Sequence, residues 1–131
     1  MQSLYVSADG DDIGSSIEYF ILTNDLEALG EYFESFRQAF ADWTERFRVQ
    51  TGAQIISDCS NNFISLIDID ETSLRKIQDL QASFHVSGRW TVSVGIGNSP
   101  RAACIALRLA KASGKNCVRH FNDFDTHVAA K

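Results

Sequence analysis

The sequence predicts an α+β fold: one mainly antiparallel sheet with helices packed on one face. Three observations lead there. Short β-rich segments alternate with segments of helical periodicity, two of the strands are joined by a tight polar turn, and the longest helix carries one continuous apolar stripe.

Ser3 to Ala8 (SLYVSA) alternates roughly and is β-rich, so it reads as a first strand that Asp9-Gly10-Asp11-Asp12 then breaks. Ile13 to Ile21 reads as a short helix with Asp12 at its N-cap. Asn24 or Asp25 caps a long second helix, in which Leu26, Leu29, Phe33, Phe36, Phe40, Trp43 and Phe47 recur at steps of three and four. A stripe of this kind lies on a sheet or forms a helix–helix seam in a dimer. Ala53 to Ser57 and Phe63 to Ile69 read as second and third strands, and the polar turn Asp58-Cys59-Ser60-Asn61-Asn62 makes them a hairpin. Leu74, Ile77, Leu80 and Phe84 mark a third helix, and Trp90 to Gly97 a fourth strand. Ser99 and Pro100 form an N-cap and first-turn pair for a fourth helix, carried through Ile105, Leu107, Leu109 and Ala110 to Gly114. Cys117 to His120 reads as a short last strand, and Asn122 to Lys131 as a short helix or a tail.

The resulting order, β-α-α-β-β-α-β-α-(β), is the split pattern of a ferredoxin-like or palm domain. It sets the end of the first strand beside the hairpin turn.

The 131 residues contain no linker, repeat or low-complexity tract, so one domain over residues 1–131 is expected. A net charge of −5 argues against general binding to a nucleic-acid backbone, which needs a basic surface. It leaves room for a small anionic ligand held by a metal and a few local donors. No apolar run reaches the roughly 20 residues of a membrane helix, and the start of the chain lacks the features of a signal peptide. Cys59, Cys104 and Cys117 have no paired spacing; Cys104 and Cys117 stand in apolar surroundings and are expected as buried thiols, with a cytoplasmic location.

Asp9-Gly10-Asp11-Asp12-Ile13-Gly14 is the most informative stretch. Three carboxylates within four positions repel one another unless a cation neutralises them. Mg²⁺ suits such a place, being a hard ion that takes one or two carboxylates, water and phosphate oxygens. The start of the next helix offers free amides to a phosphate. The same residues also make a good polar turn with Asx capping. Asn61 and Asn62 are good turn formers. Lys111 and Lys115 either complement a helix dipole or reach a triphosphate as point charges. Arg101 and Arg108 read as surface residues, and His85, His120 and His127 as surface or edge residues without metal-ligand spacing. There is no nucleophile elbow, Walker-type loop or dinucleotide-binding glycine pattern, and Gly95-Ile96-Gly97 is too short for a phosphate loop.

Taken together, a strand followed by DGDDIG, a hairpin turn in the place of a GGDD or GGDEF motif, and SVGIG…ALRLAKASGKN resemble the cyclase-polymerase palm. That superfamily includes diguanylate cyclases, class III nucleotidyl cyclases and the polymerase subunit of type III CRISPR effectors. The DGDDIG form and the length are most similar to the minimal CRISPR polymerases, over Leu4 to Val118.

The resemblance implies a nucleotidyltransferase that uses Mg²⁺ or Mn²⁺. It would join nucleoside triphosphates, ATP above all, into a cyclic di- or oligonucleotide signal. It further implies a homodimer and anti-phage defence through an effector encoded nearby, with no membrane and no general nucleic-acid partner. By position, Asp9 is the first metal-binding aspartate, with the Gly10 carbonyl as a second ligand. Asp11 and Asp12 are the acidic residues that follow. The amides around Asp12, Ile13, Gly14 and Ser15 form the triphosphate cradle, and Lys111 and Lys115 approach the phosphates. Cys59-Ser60-Asn61-Asn62-Phe63 stands in the place of GGDEF. Asn61 therefore falls where a metal-binding Asp or Glu is expected, Asn62 beside it in the catalytic turn, and Cys59 and Ser60 where glycines meet the nucleotide. A catalytically degenerate palm that binds nucleotide or metal as a sensor or assembly module is the alternative that this substitution raises.

Overall fold

The computed structural model describes residues 2–86 and 89–123, with backbone only at 85 and 86. The histidine at 127, the side chain of the one at 85 and most of the expected C-terminal helix or tail lie outside the described residues. The elements are β1 (Gln2–Gly10), α1 (Ile13–Leu22), α2 (Leu26–Thr51), β2 (Gln54–Asp58), β3 (Asn62–Ile69), α3 (Ser73–Val86), β4 (Val92–Gly97), α4 (Pro100–Ala112) and β5 (Val118–Phe121). They follow the expected order. The sheet runs β2-β3-β1-β4-β5, antiparallel except for the β4–β5 pair. That parallel pair needs a crossover, which α4 supplies.

β1 is the central strand, and it runs two residues further than expected. Asp9 and Gly10 do not break it: Asp9 lies opposite Asn62 on one side and Ser93 on the other, and Gly10 opposite Val92. Pairing from both neighbours holds these poor strand formers in extended backbone. β4 is shorter than expected, beginning at Val92 rather than Trp90.

Leu4, Val6, Ala8, Phe63, Ile67, Val92, Val94 and Ile96 turn one sheet face toward Phe36, Phe40, Trp43 and Phe47 of α2 and Ile77, Leu80 and Phe84 of α3. The α2 stripe therefore lies on the sheet from Phe36 onward, while Leu26 is 72% exposed. Asp25, not Asn24, caps α2, accepting from the Ala28 amide at 3.1 Å.

The helices are not all on that face. Gly95 and Gly97 alternate with the core residues of β4, and a Cβ on Gly95 would stand 2.2 Å from the Leu107 nitrogen of α4. α4 thus lies on the opposite face, set close by glycines below and by the buried Ala102, Ala103, Ala106 and Ala110 above. This explains Gly95-Ile96-Gly97 as a helix-packing surface.

The same geometry corrects the cysteines. Cys104 sits on the outer side of α4, its apolar neighbours taking the buried positions, and is exposed; Cys117 is half-buried. No described helix is long and apolar enough to cross a membrane.

Candidate active site

The end of β1 is where the sheet, the hairpin turn and two helix ends meet. The Gly10 amide donates to the Asn61 carbonyl at 2.9 Å, which fastens the β2–β3 turn beside β1 as expected. The next amide, of Asp11, donates to the Thr91 carbonyl at 3.0 Å, so the chain leaves the sheet held from both sides. Asp9 points to the α4 face by strand alternation, and the last turn of α4 brings Lys111 over it.

Asp11 is the fixed point of the site. Its side chain is fully buried. It accepts from Ser93 Oγ at 2.7 Å, Thr91 Oγ1 at 2.6 Å, the Asn116 amide at 3.0 Å and Lys111 Nζ at 2.7 Å. Burial alone opposes its charge. The hydrogen bonds from Lys111, Thr91 and Ser93 outweigh burial together and hold its carboxyl below the ordinary aspartate value. Lys115 and Asn116 adopt left-handed backbone after Gly114, which turns the Asn116 amide toward Asp11. The Asn116 side chain in turn accepts from Gln81 Nε2 at 2.7 Å, and Gln81 also donates to the Val92 carbonyl at 3.0 Å. Asp11 therefore ties β1, β4, α3 and the α4–β5 turn together. Thr91 and Gln81 do not stand out in the sequence; Ser93 and Asn116 lie in the SVGIG and GKN segments but carry no assigned role there, and the signal for Ser93 is a polar residue between core valines.

Asp9 is less enclosed. Burial raises its carboxyl above the ordinary value, Asp11 adds to the rise, and Lys111, 3.2 Å from Oδ2, offsets part of it. The Lys111 ammonium also lies 3.0 Å from the Gly10 carbonyl and 3.4 Å from the Asp9 carbonyl. One cation is thus ringed by oxygens of Asp9, Gly10 and Asp11. Carboxylate and carbonyl oxygens are the donor set of Mg²⁺ or Mn²⁺, so these residues fit the expected metal. Among the described residues no group of three or more His, Cys, Asp or Glu side chains stands together as a metal cluster. The fit rests on mixed carboxylate and backbone donors.

Asp12 takes left-handed backbone at the N-cap of α1, but its side chain does not cap the helix. It pairs with Lys115 instead. That hydrogen bond raises the Lys115 ammonium above its ordinary value, only partly opposed by desolvation. The amides of Ile13, Gly14 and Ser15 are left with no acceptor inside the helix, and Gly14 and Ser15 are exposed. Both lysines, the acidic run and the start of α1 are therefore brought together.

The hairpin contributes differently. Asn62 is paired with Asp9 in the sheet. The Asn61 amide oxygen accepts from Asn62 Nδ2 at 3.0 Å. Cys59 and Ser60 are exposed and line a cavity of about 200 Å³ with Arg37, Phe40, Ala41 and Asp58. A further cavity of about 210 Å³ is lined by Ser15 and Ser16 at the start of α1, Tyr19 and Phe20 along it, and Tyr32 of α2. Its aromatic residues were not legible as a site, because Tyr19 and Phe20 read as ordinary helix positions.

The description of the minimal CRISPR polymerase domain matches residues 5–121. No curated protein matches the chain. Among solved structures, the active GGEEF domain of a diguanylate cyclase from Vibrio cholerae is 13% identical, covers 93% of this chain and 85% of its own, and superposes with a TM-score of 0.57. The coiled coil and GGDEF domain of DgcB from Caulobacter crescentus, in complex with c-di-GMP, is 15% identical, covers 91% of this chain and 70% of its own, and gives 0.61. A microbial GGDEF domain described with bis-(3,5)-cyclic di-GMP is 18% identical, covers 92% and 76%, and gives 0.62. At these identities the likeness is one of fold, the cyclase-type palm. With the family match spanning nearly all of β1 through β5, the chain belongs to the minimal CRISPR polymerase domain family.

Proposed function

We propose that this chain is a metal-dependent nucleotidyltransferase that joins nucleoside triphosphates, with ATP as the preferred substrate, into a cyclic di- or oligonucleotide. The observation that carries this is the convergence at the end of β1: the Asp9 carboxylate and Gly10 carbonyl, the free amides that open α1, and Lys111 and Lys115. Asp9 and the Gly10 carbonyl would hold Mg²⁺ or Mn²⁺. Such an ion supplies Lewis acidity at the α-phosphate and lowers the pKa of an attacking ribose hydroxyl. The amides of Ile13, Gly14 and Ser15 hold the triphosphate by the positive end of α1. The lysines stabilise charge that grows on the leaving phosphates. The cavity between α1 and α2 receives the base, stacked against Tyr19, Phe20 or Tyr32. Asp11, whose buried carboxylate already accepts from Thr91, Ser93, Lys111 and Asn116, would act by setting the position of Lys111 and of the α4–β5 turn.

Cyclisation needs two triphosphates presented to each other, which a homodimer with facing sites provides. Family membership supports anti-phage defence as the setting, with the product acting on an effector encoded nearby, in the cytoplasm.

One observation favours a second reading, a palm that binds nucleotide without turnover. The turn that carries an acidic pair in a GGDEF motif here carries Asn61 and Asn62, which hydrogen-bond to each other. Two-metal chemistry draws carboxylates from both places.

The test is incubation of the full chain with ATP, GTP, CTP and UTP, singly and in pairs, with Mg²⁺ and then Mn²⁺, products being identified by liquid chromatography and mass spectrometry. A cyclic product that is lost in Asp9→Ala supports synthesis. No product, with calorimetric nucleotide binding retained, supports the second reading.

A further inference from the structure

Four oxygens lie within 3.4 Å of Lys111 Nζ: the carbonyls of Asp9 and Gly10, Asp11 Oδ1 and Asp9 Oδ2. The ammonium's three N–H groups donate to the two carbonyls and to Asp11 Oδ1, and Asp9 Oδ2 is its ion-pair partner at 3.2 Å, so one cation is surrounded by oxygens of three residues. Most of the shell is rigid. The two carbonyls belong to β1, whose end is fastened by the Gly10 amide to Asn61 and by the Asp11 amide to Thr91. Asp11 Oδ1 is held by Ser93. The lysine is the movable member, a point charge on a flexible four-carbon stem.

We propose that Lys111 is the resident counter-ion of the site, and that a divalent cation enters by displacing it. This rests on the metal-dependent reading above. The Asp9 carboxylate and Gly10 carbonyl would serve either cation, and two cations at that spacing repel each other strongly. The free protein therefore binds metal weakly because its own ammonium competes. The displaced ammonium has a destination. Asp11, which Lys111 contacts, is one residue from Asp12, the N-cap of α1, so a released ammonium would be within reach of the amides that would hold a triphosphate. A triphosphate draws the lysine off the carboxylates and so favours metal entry. Metal and nucleotide binding are thereby coupled through one side chain, and Lys111 acts as a positioning and counter-ion residue before it meets phosphate.

The experiment is Mn²⁺ titration of the full chain without nucleotide, free Mn²⁺ being read by electron paramagnetic resonance. Lys111→Met is expected to bind one Mn²⁺ about tenfold more tightly than the unaltered chain or better, and adding Asp9→Asn is expected to remove the gain. Equal or weaker binding by a folded Lys111→Met overturns the proposal. A measurement on the unaltered chain stands if that variant does not fold. With ¹⁵N-labelled lysine, the Lys111 side-chain resonance is expected to shift as Mg²⁺ is added, and no shift at saturating Mg²⁺ overturns it. Repeating the titration with a non-hydrolysable ATP analogue separates the two levels. Mn²⁺ binding with the analogue, but no gain in Lys111→Met without it, overturns the counter-ion proposal and leaves the nucleotidyltransferase reading standing. No Mn²⁺ binding by either protein, with or without the analogue, overturns both.

Discussion

Ser93 Oγ donates to Asp11 Oδ1 at 2.7 Å, with both residues buried and 82 positions apart in the chain. Ser93 also accepts from the Asn116 amide at 3.1 Å, so one hydroxyl serves two segments. Asp11→Ala leaves Lys111, Thr91 and Asn116 without their shared acceptor and is expected to cost about 3 kcal/mol or more. Ser93→Ala removes one donor to Asp11 and one of the two acceptors of the Asn116 amide, which keeps Asp11 Oδ2, and is expected to cost about 1–2 kcal/mol. Denaturant unfolding of the two variants checks the order, and equal losses would contradict it.

Asp9 and Asp11 respond to pH in opposite directions. Asp11 has a lowered folded pKa, so its contribution is present above the ordinary value of 3.8 and is lost as pH falls through the folded value. Asp9 has a raised folded pKa, so folding favours its protonated form. It opposes stability at neutral pH, and the penalty disappears as pH falls from its raised value toward 3.8. Asp9→Asn is therefore expected to be at least as stable as the unaltered chain at neutral pH, with the difference shrinking in acid. Unfolding curves for both proteins from neutral pH into acid measure this.

Two glycines make contrasting predictions. Gly95→Ala sets a Cβ 2.2 Å from the Leu107 nitrogen and 2.4 Å from the Ala103 carbonyl oxygen, and α4 must move. A loss of about 3 kcal/mol, or failure to fold, is expected. Gly30 stands in α2 with nothing within 4 Å of a built Cβ. Gly30→Ala is expected to add about 0.5–1 kcal/mol. Thermal melts of the two variants should move in opposite directions.

If the base stacks in the cavity between α1 and α2, Tyr32→Ala should raise KM for the nucleotide about tenfold, with a smaller change in kcat. Tyr32 packs on Phe20 at 5.4 Å and Trp90 at 5.9 Å between ring centroids, so a melt is run alongside. An unchanged KM would place the base elsewhere.

Much of the fold was legible because it depends on local rules. The α2 stripe, the hairpin turn and the Ser99-Pro100 start each show their cause within a few residues, and the Asp9-Gly10-Asp11-Asp12 run announces itself by charge. The position of α4 was not legible, since Gly95 and Gly97 act through side chains they lack. Asp11 was visible as an acidic residue but not as an anchor. Its donors lie at Thr91, Ser93, Lys111 and Asn116, and only the closed sheet brings them to it. Cys104 misled because apolar neighbours on a helix say nothing about which side a residue takes.

The central place of β1 also bears on how the chain is made. β1 precedes every strand it pairs with: β3 begins at Asn62 and β4 at Val92. During synthesis it must therefore wait, apolar and unpaired, while some fifty residues of helix and hairpin follow it from the ribosome. Closing such long loops is the slow part of folding. Asp11 gains its last donor only when Asn116 arrives. A nascent chain stalled before that residue holds Asp9, Asp11 and Asp12 but lacks the last donor that clasps Asp11, so the end of β1 is not fully ordered until the domain is almost fully translated.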